Sequence, residues 1–136
     1  MFGLIFDMDG VLADTEGAIA QATIMVYRDF YGVELTPKDF VPFIGTGAVR
    51  YTEGPAEKLG IAIDLERALE ARTKNFFDII NNGTCIAFPG VHALLKAAEE
   101  HPEWKLALAT SSPGPKSLGT LAAAGIDPNC FVAYLH

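Results

Sequence analysis

The stretch Leu4-Ile5-Phe6-Asp7-Met8-Asp9-Gly10-Val11-Leu12-Ala13-Asp14-Thr15 decides how the chain is read, because an apolar run ends directly in two carboxylates set one residue apart. A short apolar run of this kind reads as a buried strand of a parallel sheet, and in open α/β sheets ligands sit just beyond the carboxyl ends of such strands. Asp7 and Asp9 fall at that end. An aspartate there can attack phosphorus to give an aspartyl-phosphate, which splits one hard displacement into two easier ones. A second carboxyl close by can protonate the leaving oxygen and then activate water. Gly10 lets the chain turn away without a side chain crowding the anion. The plainer reading is that both aspartates cap a turn. Asp14 and Thr15 suit either an N-cap for the segment that follows or a contact with substrate.

Working outward, the residues after this stretch switch to a helical period. Ile19, Ala22, Val26 and Phe30 recur at spacings of three and four, and Gly32 ends the pattern. Thr36-Pro37-Lys38-Asp39 has the composition of a helix start, with Thr36 as cap and an acid three residues later. A further helical pattern covers Ala48 to Leu59. Asp64 caps another, with Leu65, Leu69, Arg72 and Phe76 on one side, running to Asn82-Gly83. Phe88-Pro89-Gly90 marks a return. Val91, Leu94, Leu95 and Ala98 then form a helix face, followed by the apolar strands Lys105-Leu106-Ala107-Leu108-Ala109 and Phe131-Val132-Ala133-Tyr134-Leu135-His136. A βαβ return places the second strand beside the first. At its tip stand Thr110-Ser111-Ser112, where a hydroxyl and free backbone N–H groups can meet the same phosphate oxygens.

The residues Asp7 to Thr15 closely resemble the first motif of the haloacid dehalogenase superfamily, in its branch of small phosphatases and β-phosphoglucomutase-like enzymes. Thr110-Ser111-Ser112 resembles the second motif. The resemblance implies an α/β Rossmann-like parallel sheet, its first three strands built from residues 1–15 and 84–136, with a helical cap of residues 16–83 inserted after the first strand. It implies that Asp7 is the nucleophile and a Mg2+ ligand, and that Asp9 is the general acid/base and offers its backbone carbonyl to the metal. Gly10, the Thr110 hydroxyl and the Ser111 backbone N–H would hold the phosphate. Lys74-Asn75 resembles the Lys-Asn pair that grips a distal substrate phosphate in β-phosphoglucomutase-like caps, although a lysine on an acidic helix is commonly a solvated surface residue. Gly45-Thr46-Gly47-Ala48-Val49-Arg50 resembles the cap loop that senses substrate, with Arg50 two positions from the arginine of the mutases, and this offset favours a phosphatase.

The implied reaction is Mg2+-dependent hydrolysis of a small phosphorylated metabolite, with a phosphomutase as the alternative. Counterparts of the family's later lysine and acidic motif are not seen in this sequence, and Lys116 is the one cation placed to substitute. A truncated, non-catalytic binding relative is therefore a further reading, and an exposed sheet edge would then favour self-association or a partner chain. Carbon–halogen hydrolysis also uses an aspartate nucleophile, but a departing halide needs no proton, so Asp9 argues against it.

Composition sets the remaining bounds. The 136 residues are half hydrophobic and carry a net charge of −7, which argues against nucleic acid as partner, since affinity for its backbone comes from clustered Lys and Arg. No apolar window has the length of a membrane span, and the opening residues lack the pattern of a secretory signal, so an intracellular location is expected. Cys85 and Cys130 lack metal-ligand spacing and are expected reduced. His92, His101 and His136 do not form a ligand cluster.

Overall fold

The computed structural model describes residues 1–84, 87–110 and 114–135. In chain order the elements are β1 (Phe2–Phe6), α1 (Glu16–Tyr31), α2 (Ala48–Leu59), α3 (Leu65–Ile79), α4 (Val91–Glu99), β2 (Trp104–Ala109), α5 (Gly114–Ala123) and β3 (Ala133–Leu135). Pro37–Phe43 and Pro128–Cys130 form 3₁₀ turns, and Ile80–Thr84 forms a π turn. Contacts divide the chain into two units, Met1–Glu16 with Ile80–His136, and Gly17–Ile79.

The first unit is an α/β Rossmann-like fold around a parallel sheet in the order β1-β2-β3. The register Leu4↔Leu106 and Phe6↔Leu108 sets four large apolar side chains on one face, where Leu106 and Leu108 are buried and α4 packs against β2. Phe2 stacks on Trp104 at the amino end of that face, with ring centroids 4.8 Å apart. The expectation that the first strand is buried holds for one face only. Ile5 points to the other face and is 69% exposed, and among the described residues β1 has a strand neighbour on one side alone. The run from Phe131 enters strand geometry only at Ala133, since the Phe131 N–H is used to close the preceding turn on the Pro128 carbonyl.

The second unit is helical. Its core gathers Ile24 and Tyr27 of α1 with Leu35, Phe40, Phe43, Tyr51 and Ala56. The helix expected from Thr36 is a 3₁₀ turn instead. Asp39 accepts hydrogen bonds from the Thr36 backbone N–H (2.8 Å) and hydroxyl (3.2 Å), as a capping residue should, but Pro42 has no N–H with which to continue an α-helical ladder. α2 ends at Gly60 in the left-handed region (φ +67), and Asp64 starts α3 by accepting from the Arg67 N–H. Pro55 lies inside α2, and there the Tyr27 hydroxyl enters the helix. It donates to the Thr52 carbonyl (2.6 Å) and accepts from the Ala56 N–H (3.1 Å), bridging two groups that an uninterrupted helix would pair directly. Among the described residues no helix is long and apolar enough to cross a membrane.

Candidate active site

Asp7 directly follows β1 and Thr110 directly follows β2, and the register Phe6↔Leu108 sets these two strand ends side by side. Asp7 is exposed and Thr110 is buried. The Asp7 Oδ1 accepts the backbone N–H of Met8 at 2.8 Å, which turns the carboxylate back over the start of the next loop.

That loop is wound tightly for a visible reason. The Met8 carbonyl accepts three consecutive N–H groups, from Val11 (3.2 Å), Leu12 (2.9 Å) and Ala13 (3.1 Å), while the Gly10 N–H bonds the Ala13 carbonyl at 2.9 Å. Gly10 has φ +77, a conformation that costs glycine little and other residues more. Met8, Leu12 and Ala13 are buried beneath the turn. The returning chain fastens it, because the Phe88 N–H bonds the Leu12 carbonyl at 3.2 Å and Ala13 bridges Ala87.

Within this framework the Thr15 hydroxyl donates to Asp9 Oδ1 at 2.7 Å. Thr15 is fully buried and Asp9 half-buried, so the bond is sheltered from water. A side-chain hydrogen bond contributes about 0.5–1.5 kcal/mol, enough to favour one orientation of the carboxyl. The sequence offers Thr15 as a helix cap or a substrate contact; the structure uses its hydroxyl to hold Asp9. Nothing in the local sequence distinguishes these uses, since a threonine just before a helix is an ordinary cap.

Lys74 and Asn75 lie on α3 of the helical unit. Lys74 Nζ pairs with Asp78 Oδ2 at 3.0 Å, both side chains well exposed, and Asn75 Nδ2 donates to the Ala22 carbonyl at 3.1 Å. Arg50 pairs with Glu57 and its guanidinium lies 5.1 Å from the centroid of the Phe43 ring. Lys116 is half-buried near the start of α5. Ser111 lies outside the described residues, as do Ser112, Cys85 and His136. Among the described residues no three His, Cys, Asp or Glu side chains gather as a ready-made metal site.

Residues 4–131 match the family model of the haloacid dehalogenase-like hydrolases. The chain belongs to that family. It is 33% identical over 132 residues to the chloroplastic protein SUPPRESSOR OF QUENCHING 1 of Arabidopsis thaliana, covering 96% of this chain and 12% of that protein. Among solved structures it resembles a β-phosphoglucomutase-named protein of Thermotoga maritima at 28% identity and a TM-score of 0.77, covering 99% of this chain and 61% of the other. It also shares its fold with CbbY of Rhodobacter sphaeroides, solved in complex with phosphate, at 20% identity and a TM-score of 0.81, covering 98% of this chain and 63% of CbbY. The chain thus spans about three fifths of these solved family members and a small part of the Arabidopsis protein.

Proposed function

We propose that this haloacid dehalogenase-like chain carries the nucleophile, acid/base and phosphate-binding parts of a phosphate-monoester hydrolase acting on a small phosphorylated metabolite. The observation that carries the reading is the placement of Asp7 and Thr110 at adjacent strand ends, with Asp9 held by Thr15 two residues after the nucleophile. Asp7 attacks phosphorus in line and the ester oxygen leaves, taking a proton from Asp9. The aspartyl-phosphate is then opened by water, whose proton returns to Asp9 while phosphate departs. Thr110 supplies a hydroxyl to the phosphoryl oxygens, and Gly10 keeps the turn free of a side chain; the Ser111 N–H has the same task by family resemblance.

Charge explains why a divalent cation belongs to this reading. The unit that carries Asp7 holds eight carboxylates against three lysines and no arginine, so a phosphate dianion arrives in a negative field. Mg2+ takes one or two carboxylates with substrate oxygens and water. The exposed Asp7 carboxylate, one of whose oxygens is committed to Met8 N–H, suits that donor set, and the Asp9 carbonyl would join it. The metal would neutralise the phosphoryl oxygens during attack.

Hydrolysis is favoured over a mutase. A mutase must hold a second phosphate, and the helical unit's Arg50 and Lys74 are paired with Glu57 and Asp78, while one N–H of Asn75 is spent on Ala22. The test is to follow release of phosphate from p-nitrophenyl phosphate with and without Mg2+, in the chain and in a longer protein containing it. Asp7→Asn keeps the shape and removes the attacking charge, so activity and any acid-stable label on the protein should both vanish. Undiminished turnover in Asp7→Asn would refute covalent catalysis at this residue.

A further inference from the structure

The break in α2 leaves one polar atom behind. Pro55 offers no N–H to the helix, and a proline ring crowds the carbonyl four residues earlier, here that of Tyr51, which opens the neighbouring bond between the Thr52 carbonyl and the Ala56 N–H. The Tyr27 hydroxyl fills the gap, donating to the carbonyl at 2.6 Å and accepting from the N–H at 3.1 Å. Tyr27 and Thr52 are both fully buried. The Thr52 hydroxyl, in the same residue as the carbonyl that Tyr27 bonds, has no hydrogen-bond partner among the described residues. A buried hydroxyl left in this way is costly, and in a native protein it calls for a reason.

We propose that α2 is a two-state helix hinged between Thr52 and Ala56, with the Tyr27 hydroxyl as its latch and the Thr52 hydroxyl as the latch's second position. In the open state seen here, Tyr27 bridges the break and Thr52 Oγ1 is orphaned. In the closed state the Thr52 carbonyl takes the Ala56 N–H directly, and the Tyr27 hydroxyl, freed from both, donates to Thr52 Oγ1. Every buried polar group of the bridge is then satisfied. Hydrogen bonding thus favours the closed helix and the Pro55 ring the open one, and opposing terms of comparable size make a segment bistable. The Phe43 ring lies so close to Gly54 that an added methyl would meet three of its carbons, so the ring faces bare backbone at the hinge and has no side chain to pass as the helix closes. On the exposed face Arg50 pairs with Glu57 across the same break, the two partners belonging to different halves. The first half carries Arg50 and is entered through Gly45 (φ +82) and Gly47 (φ +92), so the switch moves this loop within the helical unit.

Relaxation-dispersion NMR on the whole chain reads the switch, because exchange on the microsecond-to-millisecond scale broadens the groups that change partner. The Ala56 amide and the Thr52 methyl should exchange with a closed state populated to about 1–10%. Thr52→Val keeps the shape and removes the latch's second position, so the exchange contribution at the Ala56 amide should fall by about 10-fold or more. Pro55→Ala removes the crowding ring and returns an N–H, so the closed state should become the major one, and the Ala56 amide should take the chemical shift that the minor state has in the parent. Absence of exchange at Ala56 in the parent, exchange that Thr52→Val leaves unchanged, or an Ala56 shift in Pro55→Ala that stays at the parent's major position would each overturn the proposal.

Discussion

The hydroxyl of Thr15 reaches back six residues to hold Asp9 Oδ1 at 2.7 Å, tying the residue that precedes α1 to the carboxyl proposed to move the proton. Because Thr15 is buried and its neighbours Leu12 and Ala13 are packed under the loop, this contact cannot be replaced by water without opening the turn. Thr15 is a positioning residue for Asp9.

Thr15→Val keeps the shape and deletes the donor. Turnover of an alkyl phosphate should fall by about 10-fold or more, while an aryl phosphate, whose leaving group needs little protonation, should lose much less. Thr15→Ser should restore the alkyl activity. Steady-state kcat on the two substrates reads this directly, and equal losses on both would reduce Thr15 to a packing role.

Asp9→Asn removes the carboxyl proton itself. An activated aryl phosphate should still label Asp7, whereas a sugar phosphate should react slower by at least about 100-fold, since only the second requires a general acid. Mass spectrometry of the trapped protein after each substrate distinguishes the two. Identical defects would remove Asp9 from the proton path.

Tyr27→Phe tests the bridge inside α2. Removing the hydroxyl leaves the Thr52 carbonyl and the Ala56 N–H without their shared partner in a buried place, at a cost of about 1–3 kcal/mol. A loss below about 0.5 kcal/mol in urea unfolding would mean that α2 closes the gap by pairing the two directly. Burial holds the Tyr27 phenol above its ordinary pKa despite the N–H of Ala56. The folded state therefore prefers the neutral form. This contribution is complete below the ordinary tyrosine value of about 10 and is lost as pH rises through the elevated one. The decline of stability with rising pH above about 10, followed by urea unfolding, should be shallower in Tyr27→Phe than in the parent.

Gly54→Ala probes the same helix from its other side. A methyl group there would lie 2.4–2.6 Å from three ring carbons of Phe43, whose ring is buried. Overpacking of this kind costs about 1–3 kcal/mol, more than the gain in helix propensity from glycine to alanine. Gly54→Ala should melt lower than the parent, and pairing it with Phe43→Leu should recover part of the loss.

Much of this was legible in the sequence because the signals were local. The apolar run before Asp7 and Asp9, the period of α1, the Gly32 end and the second strand before Thr110 each depend on spacing within a few turns of chain, which pattern reading captures. The 3₁₀ form of Pro37–Phe43 was within reach, since Pro42 forbids the continuing bond.

Sequence alone determined the residue types at the strand ends, the order of strand and helices, and membership in a family whose first motif is densely encoded over nine residues. Only the tertiary structure decided what polar groups distant in the chain do for one another: Thr15 turned to Asp9, Tyr27 inserted between Thr52 and Ala56, Asn75 bound to the Ala22 carbonyl. It also decided that, among the described residues, β1 has a strand neighbour on one side alone and that Ile5 lies open to water. The reason is physical. Periodicity records which face of an element is apolar, but a hydrogen-bond partner and a covered face depend on which elements meet in space, and the same threonine, tyrosine or isoleucine serves many such meetings equally well.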